Sequence, residues 1–212
     1  SNENHPFGAM REVEIGYGIA RAHRVSYVGE LGWEIYVGSD MAGHVFETLE
    51  EAGQPHGLKL AGLHVLDSCR IEKAFRHFGH DITDEDHVLE AGLGFAVRVQ
   101  KPDFIGRDAV MRKKEEGLRR RMLQFKLNDA EPLLYHNEPI VRDGGIVSFL
   151  TSGNYGHHLG GAIGMGYVPI EADEKSDEIL ASSWEIEIAG TRVTAEASIK
   201  PMYDPKSERV RM

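Results

Sequence analysis

The chain has 212 residues, enough for one large domain or two small ones with a buried core that needs no staples. Hydrophobic residues make up 41% and charged residues 27%, which excludes a disordered chain. The 34 acidic against 24 basic side chains leave a net charge of -10, which disfavours nucleic acid and anionic membrane surfaces as partners.

Residues 19–27 alternate, with Ile19, Arg21, His23, Val25 and Tyr27 on one face, and this predicts a strand wetted on one side. A second strand is expected over 33–37. Between them Gly29 and Gly32 bracket Glu30 and Leu31 in a tight reversal, where glycine permits positive φ. Ser39 is a candidate N-cap for an amphipathic helix in which Met41, Val45, Phe46 and Leu49 recur at helical spacing until Gly53. A second helix is predicted over 63–73, a polar loop over 79–87, a strand over 93–99 and a bridging helix over 107–116, ended by Gly117. The basic patch Arg119-Arg120-Arg121, with Arg112, Lys113 and Lys114 nearby, is broken by Glu115 and Glu116 and reads as a solvated helix end. From there the pattern turns to β-prone runs at 122–127, 139–142, 146–152, 162–168, 184–188 and 193–199. Asp143-Gly144 and Ala189-Gly190 sit where hairpin turns belong. Six strands at that spacing predict a small antiparallel barrel, so the class is α+β followed by all-β, divided into 1–117 and 118–212.

Cys69 is the single cysteine, which rules out an intrachain disulfide framework, and a reducing, cytoplasmic setting is expected. No run of about 20 apolar residues is present to span a bilayer as a helix. Ser1-Asn2, in place of an initiator Met, reads as a remnant of expression, and the chain is expected to be a piece of a longer one.

Tyr27-Val28-Gly29-Glu30-Leu31-Gly32-Trp33-Glu34 sets a carboxylate between glycines and beside aromatic rings. A carboxylate can accept two parallel N–H bonds from a planar amino-heterocycle, aromatic faces can cover such a ring, and glycine lets backbone come close. The same spacing fits a surface turn with a solvated Glu30 and a Trp33 packed in the core, so the residues alone leave both readings open. Asp67 and Arg70 stand three apart on a predicted helix, which fits a surface pair, and Arg70 gains interest only if it shares a cavity with Glu30. His77, His80, Asp81, Asp84, Asp86 and His87 crowd together, but they lack the order of a calcium loop and the i,i+4 histidine pairing of a helical metal site. No metal is assigned there, and a hydrated loop is expected. His157 and His158 are adjacent and diverge on an extended backbone. No Gly-x-Ser-x-Gly elbow is present, and the glycines from Gly160 to Gly166 read as points where barrel strands bend and approach.

Several of these stretches carry a resemblance in order along the chain. They are Ser26 to Glu34, Asp67-Ser68-Cys69-Arg70-Ile71-Glu72-Lys73, Gly79-His80-Asp81-Ile82, Glu90-Ala91-Gly92-Leu93-Gly94-Phe95, Lys101 to Arg107, Thr151-Ser152-Gly153 and Gly164-Met165-Gly166-Tyr167-Val168. Together they resemble the glycine-cleavage T-protein (aminomethyltransferase) family. Tyr155-Gly156-His157-His158-Leu159-Gly160 and Tyr203-Asp204-Pro205 are similar to the branch that ends dimethylglycine and sarcosine dehydrogenases. The resemblance implies the C-terminal half of such a protein, with a ferredoxin-like α/β sandwich portion of the folate-binding domain ahead of the six-stranded barrel. It implies tetrahydrofolate as cofactor, with Glu30 at the aminopyrimidine edge of the pterin, Arg70 at the same ring, and Tyr27 and Trp33 shaping the cavity. Phe78 stands where the family has Tyr or Trp, which removes a polar contact.

The family's Asp that works beside the folate amine lies upstream of the segment resembled, as does, in the dehydrogenase branch, a flavin domain with FAD. No catalytic residue is therefore assigned to this chain, which alone is expected to be inactive. The implied partners are folate and either the protein's own N-terminal half or an aminomethyl carrier protein. The implied reaction moves a one-carbon unit from an aminomethyl donor, or from an iminium derived from an N-methylglycine, to tetrahydrofolate, giving the 5,10-methylene compound. A non-catalytic folate-binding regulatory or assembly protein on the same scaffold is the alternative, and a methyltransferase for a sulfur compound is a third reading.

Overall fold

In the computed structural model, which describes residues 2–172 and 174–212, the early alternation becomes an antiparallel sheet of β1 (Met10–Ile15), β2 (Gly18–His23) and β3 (Glu34–Tyr36), in that order. Gly16 makes the first turn with φ 57°, which favours glycine, and a Cβ there would lie 2.3 Å from His44 Nε2, so the His44 ring would have to shift to admit a side chain. Along β2 the alternation sorts residues by face: Ala20 and Ala22 are buried, Ile19 and Arg21 exposed. Helix α1 (Ala42–Gly53) follows, and Val45 is its buried residue. Its N-cap is Met41 rather than Ser39, because the Met41 N–H bonds to the Gly38 carbonyl at 3.0 Å and a turn over 38–41 comes before the first helical residue. These residues through Cys69, together with Lys206–Met212, form one compact unit.

The second unit is Arg70–Pro205, entered along α2 (Leu63–Glu72). The predicted strand at 93–99 is not formed. Gly92 takes φ 72°, and the Ala96 and Val97 N–H groups bond back to Leu93 and Gly94, so the segment spends its donors on a single 3-10 turn at Gly94–Ala96. After α3 (Arg107–Glu116) come β4 (Arg120–Leu127), β5 (Pro139–Arg142), β6 (Gly145–Gly156), β7 (Gly161–Pro169), α4 (Ser176–Ala181), β8 (Trp184–Ile188) and β9 (Thr191–Ser198). The strands close into an antiparallel barrel in the order β4-β7-β6-β5-β8-β9, with β4 pairing β9 to seal it. Closure leaves no open edge in this sheet.

β7 shows why the barrel has a wet-free wall on both sides. Ala162 and Val168 face the interior with Leu123, Phe125, Ile140, Leu150 and Trp184, while Ile163, Met165 and Tyr167 point the other way and pack with Ile71, Ala74 and Met122. The inward positions between Ala162 and Val168 are glycines. A Cβ on Gly164 would lie 2.5 Å from Leu150, and one on Gly166 2.6 Å from Ile140, so the close approach expected of this glycine run is present.

Candidate functional site

The segment between β2 and β3 carries Tyr27, Glu30 and Trp33. Gly29 is buried with φ 81°, a left-handed conformation that a side chain would strain. Gly32 has no positive φ and its nearest neighbour to a Cβ is 3.7 Å away, so the turn requires only the first of the two glycines. Tyr27 and Glu30 are half-buried. Trp33 is 45% exposed and so is not the core residue that the surface-turn reading requires. The Arg24 guanidinium lies 5.0 Å from its ring centroid and the His5 ring 6.4 Å away, edge-on at 63°. A cation against an indole fixes the ring, and the exposed remainder is apolar surface on which a flat heterocycle can stack.

Arg24 was missed as a candidate, although a signal was there. It continues the buried face of Ala20 and Ala22, where an arginine is out of place unless something holds it. Its two terminal nitrogens donate to the His5 carbonyl at 3.2 Å and the Met212 carbonyl at 2.6 Å. Arg24 Nε and Ser26 Oγ are buried without a hydrogen-bond partner among the described residues.

Arg70 is buried on the last turn of α2. Its Nη1 donates to Asp81 Oδ2 at 2.6 Å and to the Phe75 carbonyl at 3.2 Å, and its Nη2 to Ser152 Oγ at 2.8 Å. Asp81 also accepts from the His77 N–H at 2.8 Å and the Thr151 hydroxyl at 2.6 Å. The loop expected to be hydrated thus contains a buried carboxylate, because three donors, from Arg70, His77 and Thr151, replace the water it gives up. Asp86 in the same stretch accepts from the Thr83 N–H at 2.7 Å and pairs with Arg120 at 2.8 Å. Among the described residues no group of three or more His, Cys, Asp or Glu is placed to hold a metal. Phe78 is 71% exposed between His77 and the Gly79 N–H bond to Ile82. Of the expected site residues, Tyr27, Glu30 and Trp33 belong to the first unit, and Arg70 and Phe78 to the second.

Glu72, two residues after Arg70, is a clamp that sequence spacing did not disclose. Its Oε1 accepts from the His158 and Leu159 N–H groups at 2.7 and 3.0 Å, and its Oε2 lies 2.9 Å from His158 Nδ1. The His158 ring stacks on Tyr203 at 4.3 Å. Lys73 Nζ donates to the Asp204 carbonyl at 2.5 Å, and Gln124 Nε2 caps the Ile71 and Glu72 carbonyls at 2.7 and 3.1 Å. Both motifs of the dehydrogenase-like branch, at 155–160 and 203–205, are therefore anchored to the end of α2.

A third polar cluster surrounds Glu90, which pairs with Lys113 at 2.6 Å and Arg120 at 2.9 Å and accepts from the Arg119 N–H at 3.3 Å. The Arg120 guanidinium lies 4.4 Å over the Tyr167 ring, and burial pushes the Tyr167 phenol well above its ordinary range. Burial also pushes the Glu90 carboxyl upward, but its hydrogen bonds to Lys113, Arg120 and the Arg119 N–H outweigh this and leave it below the usual 4.5. The unfolded chain therefore takes up this proton first as pH falls. The stabilisation by Glu90 is complete above pH 4.5 and is lost as pH falls below it toward the folded value. Urea midpoints measured from neutral pH down to pH 3 should fall less steeply for Glu90→Gln than for the parent; parallel curves would show that Glu90 does not carry this dependence.

Two family models match the chain. The one described as GCVT N-terminal domain matches residues 1–101, and the one described as Glycine cleavage T-protein C-terminal barrel domain matches residues 120–204. The chain is 43% identical over 212 residues to the 4-methylaminobutanoate oxidase (formaldehyde-forming) of Paenarthrobacter nicotinovorans, and spans 25% of its length. It is 34% identical over 214 residues to the mitochondrial sarcosine dehydrogenase of Homo sapiens, of which it spans 23%. Over 145 residues it is 43% identical to the aminomethyltransferase of Halothermothrix orenii, with 68% of this chain and 40% of that one covered. Its fold matches the crystal structure of the glycine cleavage system aminomethyltransferase T from Bartonella henselae with a TM-score of 0.74 at 24% identity, over 86% of this chain and 49% of that one. Two matched models in succession along one chain, and relatives that are aminomethyltransferases and N-methylglycine dehydrogenases, establish that this chain belongs to the glycine cleavage T-protein family.

Proposed function

We propose that the chain is the tetrahydrofolate-binding part of a longer one-carbon transfer protein, acting on an aminomethyl donor or on the iminium left when an N-methylated amine is oxidised. The observation that carries this reading is the loop at 26–34, where a half-buried Glu30 sits in a Gly29 turn beside an indole 45% exposed. A two-ring aminopyrimidine needs an acceptor for its adjacent N–H groups and an apolar plane for its face, and Glu30 and Trp33 offer one of each. The orphaned Ser26 Oγ and Arg24 Nε at the base of the same loop fit a ligand that brings polar atoms. Tyr27, Arg70 and Phe78 complete the proposed set.

When bound, tetrahydrofolate would supply two amine nitrogens to take up the donated methylene; their two protons would leave as one on the departing amine and one on the carrier atom of an aminomethyl donor, or, from an iminium, one on the amine and one to solvent. The part of this chain is to hold and orient the pterin, with the catalytic Asp, and FAD where oxidation comes first, assigned to other parts of the protein. Support for the donor class comes from the oxidase relative, whose name couples a methylamino substrate to a formaldehyde-level product, the oxidation state that such nitrogens trap. Residues 1–117 and 118–212 are proposed as the two domains, and the partner as either the N-terminal half or an aminomethyl carrier. Calorimetric titration of the intact protein with tetrahydrofolate is the test. Glu30→Ala should weaken binding by about 10- to 100-fold, the loss of hydrogen bonds to a charged group, and an unchanged affinity removes Glu30 from the site.

A further inference from the structure

Helix α1 is patterned for burial on more than one flank, yet only Val45 is buried, while Phe46 is 51% exposed and Leu49 is exposed as well. Phe46, Leu49 and Gly53 follow at i, i+3 and i+7, which puts them in one row along the helix. Leu58 extends that row: its N–H bonds to the Gly53 carbonyl at 3.1 Å and its Cδ1 would lie 2.4 Å from a Cβ on Gly53. Leu60 comes next, and Leu63, 80% exposed, opens α2. Against this surface the buried apolar core of the first unit is Ala20, Ala22, Val45 and Val210, a small volume for the length of chain it organises. Apolar residues left outside at this density mark a surface that another element covers.

We propose that the row Phe46, Leu49, Leu58, Leu60 and Leu63 is the docking surface for a further layer of polypeptide of the same protein, the additional chain that its relatives carry. The inference rests on the reading above that this chain works within a longer protein, and not on folate. The chain covers 40% of the Halothermothrix orenii enzyme and 49% of the Bartonella henselae chain, so those proteins hold about as much polypeptide again outside the match. The sheet order places β3 at an edge, and a strand edge is satisfied by backbone, which a lipid or a small ligand does not offer. Glu47, Glu50 and Glu51 also stand on α1, so the occupant presents an apolar face with Lys or Arg at its rim.

The experiment is thiol labelling with a maleimide, read by peptide mass at one introduced cysteine, in the 212-residue chain and in the intact protein encoded by the reading frame that contains it. Phe46→Cys and Leu63→Cys are the probes, each with Cys69→Ser, and Ile146→Cys, an exposed barrel position, is the control. In the intact protein both probes should label at least about 100-fold more slowly than in the 212-residue chain, as expected of sites reached only by local opening, while Ile146→Cys reacts alike in both. Equal labelling of Phe46→Cys and Leu63→Cys in the two proteins overturns the proposal, as does a reading frame that adds no chain. Protection that appears in the 212-residue chain as its concentration rises makes a second copy the occupant and overturns it too. Slow labelling in an intact protein whose folate affinity ignores Glu30→Ala would keep the docking surface and discard the folate reading.

Discussion

Replacing Asp81 with Ala should cost the barrel-bearing unit about 3–5 kcal/mol, the range for breaking a buried ion pair from one side. The substitution strands the Arg70 guanidinium in the interior and also removes the acceptor for the His77 N–H and the Thr151 hydroxyl. Asp81→Asn keeps the size and an acceptor but not the charge, so most of the loss should remain. The double change Arg70→Met with Asp81→Leu removes both charges and should recover part of it, because a buried pair is worth less than the damage done by halving it. Urea unfolding of the 212-residue chain measures all three, with the Asp81→Ala midpoint lower by about 1.5–2.5 M for a slope near 2 kcal/mol/M. A loss under about 1 kcal/mol would mean that water reaches Arg70 and that the network is not sealed.

Glu72→Ala should be the next most damaging single change, at about 2–4 kcal/mol, since it leaves two backbone N–H groups of the β6–β7 connection without the acceptor they share. The tip of that connection, at His157 to Gly160, should loosen with it. Hydrogen exchange at the His158 and Leu159 amides should speed up far more than at the barrel strands. Glu72→Gln keeps one carbonyl oxygen and should fall between parent and Ala. Unaltered exchange at those two amides would show that the hairpin holds its shape without the clamp.

Local information was legible, and information that closes over long stretches of chain was not. Helix 107–116 and strands 139–142 and 184–188 have the predicted bounds because turn chemistry sits at their ends. Asp143-Gly144 takes φ values of 51° and 83° and Ala189-Gly190 values of 48° and 81°, the left-handed pairs that a two-residue hairpin demands. β1 went unseen because Arg11, Glu12 and Glu14 leave only Val13 and Ile15 to show its alternation. The partners of Arg70 were beyond reach for another reason. Asp67 is the carboxylate that helical counting nominates, while Asp81 lies 11 residues on and Ser152 82 residues on, and only the folded chain brings them to the guanidinium. Trp33 was legible as an aromatic beside Glu30, but the cation that steadies it was not, since Arg24 lies on the β2 face opposite the one that drew notice.

The first unit draws on both termini of the chain, with Lys206–Met212 joining the residues through Cys69 and Val210 among its few buried side chains. Synthesis makes those two parts far apart in time. The barrel, whose strands lie between them, is complete in sequence while the opening sheet still waits for its last seven residues, so during synthesis the later segment has the earlier opportunity to fold.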